Sequence, residues 1–127
     1  GINMKKTLAA VLAAGALLIG GIGSVDAANW YTVGTDSNGV TWSIDNDSVK
    51  KDDKKAVMDI KAMDYEGYHY IVTEEFNHKK REVKDLKVTL YNPQGYVVKE
   101  EQVNKDSRKV EPGTPAYAVF QLIWGGK

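Results

Sequence analysis

The chain has 127 residues, with 17 basic and 17 acidic side chains and a formal net charge of zero at neutral pH. Balanced charge leaves no global field to draw in nucleic acid or an acidic membrane surface. Cysteine is absent, which excludes disulfides and structural cysteine–zinc sites and leaves packing and sheet hydrogen bonds as the sources of stability.

The N-terminus has the three-part layout of a secretory signal. Met4-Lys5-Lys6 is a short basic start, an apolar run extends from Leu8 to Ile22, and Val25-Asp26-Ala27 puts small residues where a signal peptidase reads. The run is too short and too rich in Gly and Ala for a membrane span, which needs roughly 20 apolar residues. No cysteine follows it to carry a lipid anchor. Met4 reads as the natural start and Gly1 to Asn3 as a remnant ahead of it. The expectation is a remnant plus cleavable signal over 1–27 and a single domain over 28–127. The protein is then exported, to the periplasm or the cell surface, with no membrane span after cleavage. Without Lys5, Lys6 and Asp26 its net charge is −1.

Alternation of period two dominates from Trp30 to Val103. Trp30 to Gly34 and Val40 to Ile44 are short strands around Asn38-Gly39, a hairpin signal because both residues tolerate positive φ. Asp45 to Ser48 is a turn cluster in which Ser48 or Asp47 caps one helical turn through Val49. Lys50 to Lys55 is a mixed charge run that reads as a solvated loop. Ala56, Met58, Ile60 and Ala62 form a core-facing set, followed by a turn at Glu66-Gly67. Tyr68, Tyr70, Val72 and Phe76 then share one face, with His69, Ile71, Thr73 and Glu75 on the other. Leu86, Val88 and Leu90 alternate with Lys87, Thr89 and Tyr91. Asn92-Pro93-Gln94-Gly95 is a strong turn, and Tyr96 to Val103 returns as the hairpin partner. Thr114 caps a helix whose first residue is Pro115, where a missing N–H costs nothing. Its apolar residues run to Trp124, ahead of Gly125-Gly126. The predicted fold is α+β, an antiparallel meander of about six strands packed by a short C-terminal helix.

Catalytic and cofactor motifs are sparse. Gly34 and Gly39 are not a phosphate loop, because Val40-Thr41 stands where Lys and Ser or Thr must follow. Asp36 and Asn38 lack the oxygen spacing and terminal Glu of a calcium loop. His69 and His78 lack metal-binding spacing, and serines 37, 43, 48 and 107 lie in no nucleophile elbow. The pairs Asp52/Asp53, Glu74/Glu75 and Glu100/Glu101 place neighbours on opposite strand faces or in a loop, whereas acid–base work needs carboxyls that converge. The expectation is a non-enzyme with no cofactor or metal. The basic turn Lys79-Lys80-Arg81 suits acidic glycans or protein patches. Tyr68, Tyr70, Tyr91 and Tyr96 are possible aromatic anchors, several of them core-facing by strand phase. Lys127 is a C-terminal lysine of the kind lysine-binding modules capture.

From Trp30 to about Trp124 the chain resembles the bacterial surface-adhesin E-like (Protein E-like) family. The residues that carry the likeness are Trp30-x-x-Val33-Gly34, the Gly39 turn, Ile44-Asp45 and Ser48-Val49. Further along come Glu75-Phe76-Asn77 with Lys80-Arg81, Leu90-Tyr91, Gly95-x-Val97-Val98, and Pro112-Gly113 ahead of the helix. The resemblance implies an exported antiparallel sheet packed by a helix, which binds host matrix or serum proteins. The ligand-binding residues expected are Lys79, Lys80, Arg81, Tyr91 and Tyr96, and the partner a protein, with no nucleic acid. The alternative is a periplasmic inhibitor or chaperone-like module acting on a partner of the same cell. Family members commonly carry a cysteine in the turn after the Phe76 strand and another at the end of the last helix. These fall near His78 and Trp124 here, so packing by Phe120, Ile123 and Trp124 must replace the bridge.

Overall fold

A computed structural model describes residues 28–103 and 106–125. The expected signal over residues 1–27 lies outside the described residues. No helix among the described residues is long and apolar enough to cross a membrane.

Among the described residues the fold is mostly antiparallel sheet with one short C-terminal helix. The strands are β1 (Trp30–Thr35), β2 (Thr41–Asp45), β3 (Lys50–Lys51), β4 (Lys55–Met63), β5 (His69–Asn77), β6 (Glu82–Tyr91), β7 (Val97–Gln102) and β8 (Arg108–Lys109). The main path β1-β2-β4-β5-β6-β7 is the expected six-stranded meander. Two further strands of two residues each join it: β3 lies beside β4, and β8 beside β6. The run 50–55, expected as a loop, is therefore corrected. Its side chains are exposed, but Lys50 and Lys51 pair with Val57 and Ala56. The Asp52 carboxylate accepts the Lys54 and Lys55 amides at 2.7 and 2.9 Å, which closes the turn.

Three hairpins, β1–β2, β4–β5 and β6–β7, turn through the same device at one end of the sheet. In each, a side-chain oxygen (Asp36, Asp64 or Asn92) accepts two amides further along. A glycine at the fourth position then takes the left-handed conformation: Gly39, Gly67 and Gly95 have φ of 81°, 96° and 91°. This is a type I turn closed by a glycine bulge, which matches the twist of the flanking strands.

After β2 a single 3-10 turn, Asn46–Ser48, is capped by Asp45 and not by Asp47 or Ser48. Asp45 is better placed because its carboxylate also anchors the Asn29 amide. Ser48 accepts the Asp59 amide at 2.9 Å and so fills the gap in the ladder between β2 and β3.

One face of the sheet makes the core. Ala56, Met58, Ile60 and Ala62 are buried, as their alternation predicts. Val72, Phe76, Val83 and Val88 continue the same face. In β6 the register shifts: Glu74 pairs with Asp85, and Thr73 with Lys87. Leu86 is the extra residue of this bulge. The alternation expected through Val88 and Leu90 is interrupted there, and Asp85 comes to stand opposite Glu74.

The helix α1, Pro115–Trp124, begins at the Thr114 cap and ends at Gly125 with left-handed φ of 65°. It buries Val119, Phe120 and Ile123 against Phe76, Val83 and their neighbours. Its last turn is tied down by polar and aromatic contacts. Lys51 Nζ donates to the Ile123 carbonyl at 2.8 Å, and Trp124 Nε1 to the Asp52 carbonyl at 3.1 Å. The His78 ring stacks on Trp124 with centroids 4.2 Å apart and planes 1° from parallel. The turn after β5 and the end of α1 are thus joined by a ring stack.

Candidate functional site

The residues singled out in the sequence do not converge. Lys79, Lys80 and Arg81 form the β5–β6 turn, where the Arg81 guanidinium lies over the Phe120 ring at 5.2 Å. Tyr91 and Tyr96 lie at the far end of β6, about 30 Å away along a ten-residue strand at ~3.3 Å per residue. Tyr91 stacks on His69, with centroids 5.0 Å apart, on the face opposite the core. Burial there pushes the Tyr91 hydroxyl above its ordinary value and the His69 imidazole below its own. Tyr96 stands on its turn, 72% exposed. Tyr70 is core-facing and half-buried. Among the described residues no group of three or more His, Asp or Glu is placed to hold a metal.

What the fold does assemble is a cavity of about 550 Å³ between the inner face of the sheet and the first turns of α1. That volume is in the range of ligand sites, roughly 300–1,000 Å³. Trp42, Ile60, Tyr70 and Val72 line it from the sheet, and Pro115, Ala116 and Val119 from the helix. The indole of Trp42 is fixed by donating to Asp36 at 3.2 Å and by an edge-to-face contact with Tyr70 at 6.2 Å. Lys109, Glu111 and Thr114 form the exposed rim.

One wall of this apolar space is ionic. Glu74 is in phase with Tyr70, Val72 and Phe76, so strand geometry turns it inward, where it is only 7% exposed. Asp85 pairs with it across β5 and β6 because of the bulge at Leu86. Arg108 reaches both from β8: its Nη2 lies 3.1 Å from Glu74 Oε2 and 3.3 Å from Asp85 Oδ1. Burial pushes the Glu74 carboxyl well above its ordinary value, and its hydrogen bond to Asp85 adds to the effect. Arg108 opposes the shift but does not cancel it. The Glu74 carboxyl is thus biased toward its protonated form, as two buried carboxyls beside a single guanidinium require. Burial and the Asp85 and Glu74 charges also drive the Tyr70 hydroxyl far above its ordinary value, burial first.

Chemically, this wall is a pair of carboxyls sharing one proton, closed by one guanidinium. Sequence reading passed over all three residues. Glu74 stood in an adjacent pair, Glu74/Glu75, whose members point to opposite faces. A single charged residue in phase with apolar neighbours was the signal available for it. Asp85 was displaced from its expected face by the bulge, and Arg108 belongs to a strand too short to show a period.

The chain matches no protein-family model, and comparisons with curated proteins and with solved structures find no match.

Proposed function

We propose that the chain is an exported, non-enzymatic binding domain that recognises a protein ligand, with the surface-adhesin E-like resemblance pointing to a host matrix or serum protein. The observation that carries this reading is the cavity, an apolar recess beneath the helix with a small convergent polar group on one wall. Such a recess suits an inserted side chain of a partner. Binding is favoured over catalysis because Arg108 already bridges both carboxyls. The contact of His78 with Trp124 agrees with the resemblance, which places the family's bridging cysteines near these two residues. The domain is then a six-strand meander with two short added strands, held to its helix by aromatic stacking.

The test is binding of the purified chain to a panel of matrix and serum proteins at physiological salt. Saturable binding to a panel member supports the reading. No binding, or binding lost on modest addition of salt, contradicts it. Protease shaving of intact cells checks display: protection of the domain while other surface proteins are cut would favour a periplasmic partner.

A further inference from the structure

We propose that the cavity receives a basic side chain of the protein ligand, an arginine or lysine set among apolar residues, whose cation lies against Glu74 and Asp85 beside Arg108. This rests on the protein-binding reading above and names the part of the ligand that enters.

The charges on the cavity wall select the guest. Two carboxyls face one guanidinium, at 3.1 and 3.3 Å. Buried charges persist when paired, so Arg108 balances one carboxylate and the other carboxyl keeps its proton. The titratable groups facing Glu74 are Asp85 from β6, Arg108 from β8 and Tyr70 from its own strand. Its partner on β4 is Met58, which carries no charge. An anionic guest would bring a second negative charge with no cation free to meet it. Lys109 is directed away, donating to the Lys80 carbonyl at 3.0 Å and lying 3.7 Å from Glu82. A cationic guest instead replaces the proton on Glu74 and leaves two carboxylates facing two cations.

The remaining walls suit the rest of such a residue. Basic side chains bury their methylene stems against apolar surface while the head is paired, and Trp42, Ile60 and Val119 offer that surface. The Glu111 side chain at the exposed rim adds a negative charge along the way in. Arg108 is itself an arginine carried by an extended segment that reaches the pair, so a side chain presented by a partner segment has the required length.

Entry of the cation releases the Glu74 proton. Affinity therefore rises with pH, by up to about tenfold per unit, over the range in which Glu74 is protonated in the free protein.

Isothermal titration with three probes tests the proposal: acetyl-Leu-Arg-Leu-amide, acetyl-Leu-Glu-Leu-amide and benzamidine. The arginine peptide is expected to bind more tightly than benzamidine and about tenfold or more above the glutamate peptide. Titrations in buffers of different ionisation enthalpy should report about one proton released per peptide. Glu74→Gln, with its thermal midpoint measured alongside to verify folding, should abolish that release and weaken the arginine peptide about tenfold, a loss of about 1.4 kcal/mol. Equal binding of the glutamate peptide, absence of proton release, or no binding of the arginine peptide overturns the proposal. Binding of benzamidine without the peptide would assign the cavity to small amines and also overturns it. If panel proteins bind while the arginine peptide does not, the basic-side-chain assignment falls and the protein-binding reading stands. If the arginine peptide binds while the panel does not, the reverse holds.

Discussion

Replacing Trp124 with alanine removes the contacts that fasten the end of α1 to the sheet. The indole stacks on His78 at 4.2 Å and meets Phe120 edge-on at 5.0 Å. Such aromatic pairs contribute about 0.5–1.5 kcal/mol each beyond burial. The bond from Nε1 to the Asp52 carbonyl contributes about 1 kcal/mol. Half-burial of the ring adds about 1 kcal/mol, by scaling the value for a fully buried side chain. The overlap of these contributions gives a loss of roughly 3 kcal/mol, and at about 4–8 °C per kcal/mol for a domain of this size the midpoint falls by about 12–24 °C. Thermal and urea unfolding followed by far-UV circular dichroism measure it. Trp124→Phe retains a ring but no N–H donor, and should lose about 1 kcal/mol. A midpoint lowered by less than about 4 °C in the alanine variant would refute helix docking through this stack.

The raised Glu74 carboxyl makes a signed prediction about pH. A carboxyl whose folded value is raised binds its proton more tightly in the folded state. Its stabilisation is complete below 4.5 and declines as pH rises toward the folded value, by up to about 1.4 kcal/mol per unit. Glu74→Gln should therefore match the parent near pH 4 and exceed it in urea stability at pH 8, and an unchanged difference across that range contradicts the shared proton. Gly67→Ala should cost more than Gly39→Ala in the same assay. Both positions have positive φ, at about 1 kcal/mol for a side chain, but at Gly67 the new Cβ also meets Pro93 Cβ at 3.1 Å while Gly39 faces open space. Equal costs would argue against the close approach of the two turns. Thr114→Ala removes the side-chain acceptor of the Tyr117 amide and should lose about 1 kcal/mol; no change would mean the helix starts elsewhere.

The sheet was legible in the sequence wherever one face is apolar. The alternation of Ala56, Met58, Ile60 and Ala62 and the turn glycines placed the six strands of the main path and their order. Thr114-Pro115 and Gly125 marked both ends of the helix. The two added strands were not legible, because two residues carry no period: Lys50–Lys51 and Arg108–Lys109 are largely exposed and join the sheet through backbone pairing. The site was less legible than the fold for a related reason. It is built from a charged residue inside an apolar pattern, a neighbour shifted by a bulge, and a residue from one of those short strands. The charge run and tyrosines that stood out in the sequence lie at opposite ends of β6, and proximity along the chain said nothing about convergence.

The most direct test of the account closes the cavity without touching its charges. Ala116 lines it from the first turn of α1 and is only half-buried, so Ala116→Trp fills the recess from a helix position that tolerates a large side chain. Binding of this variant to any panel protein that the parent binds should fall at least about tenfold, or 1.4 kcal/mol, with the thermal midpoint held within a few degrees. Binding at parental strength by a folded Ala116→Trp protein would contradict the placement of the ligand site in the cavity.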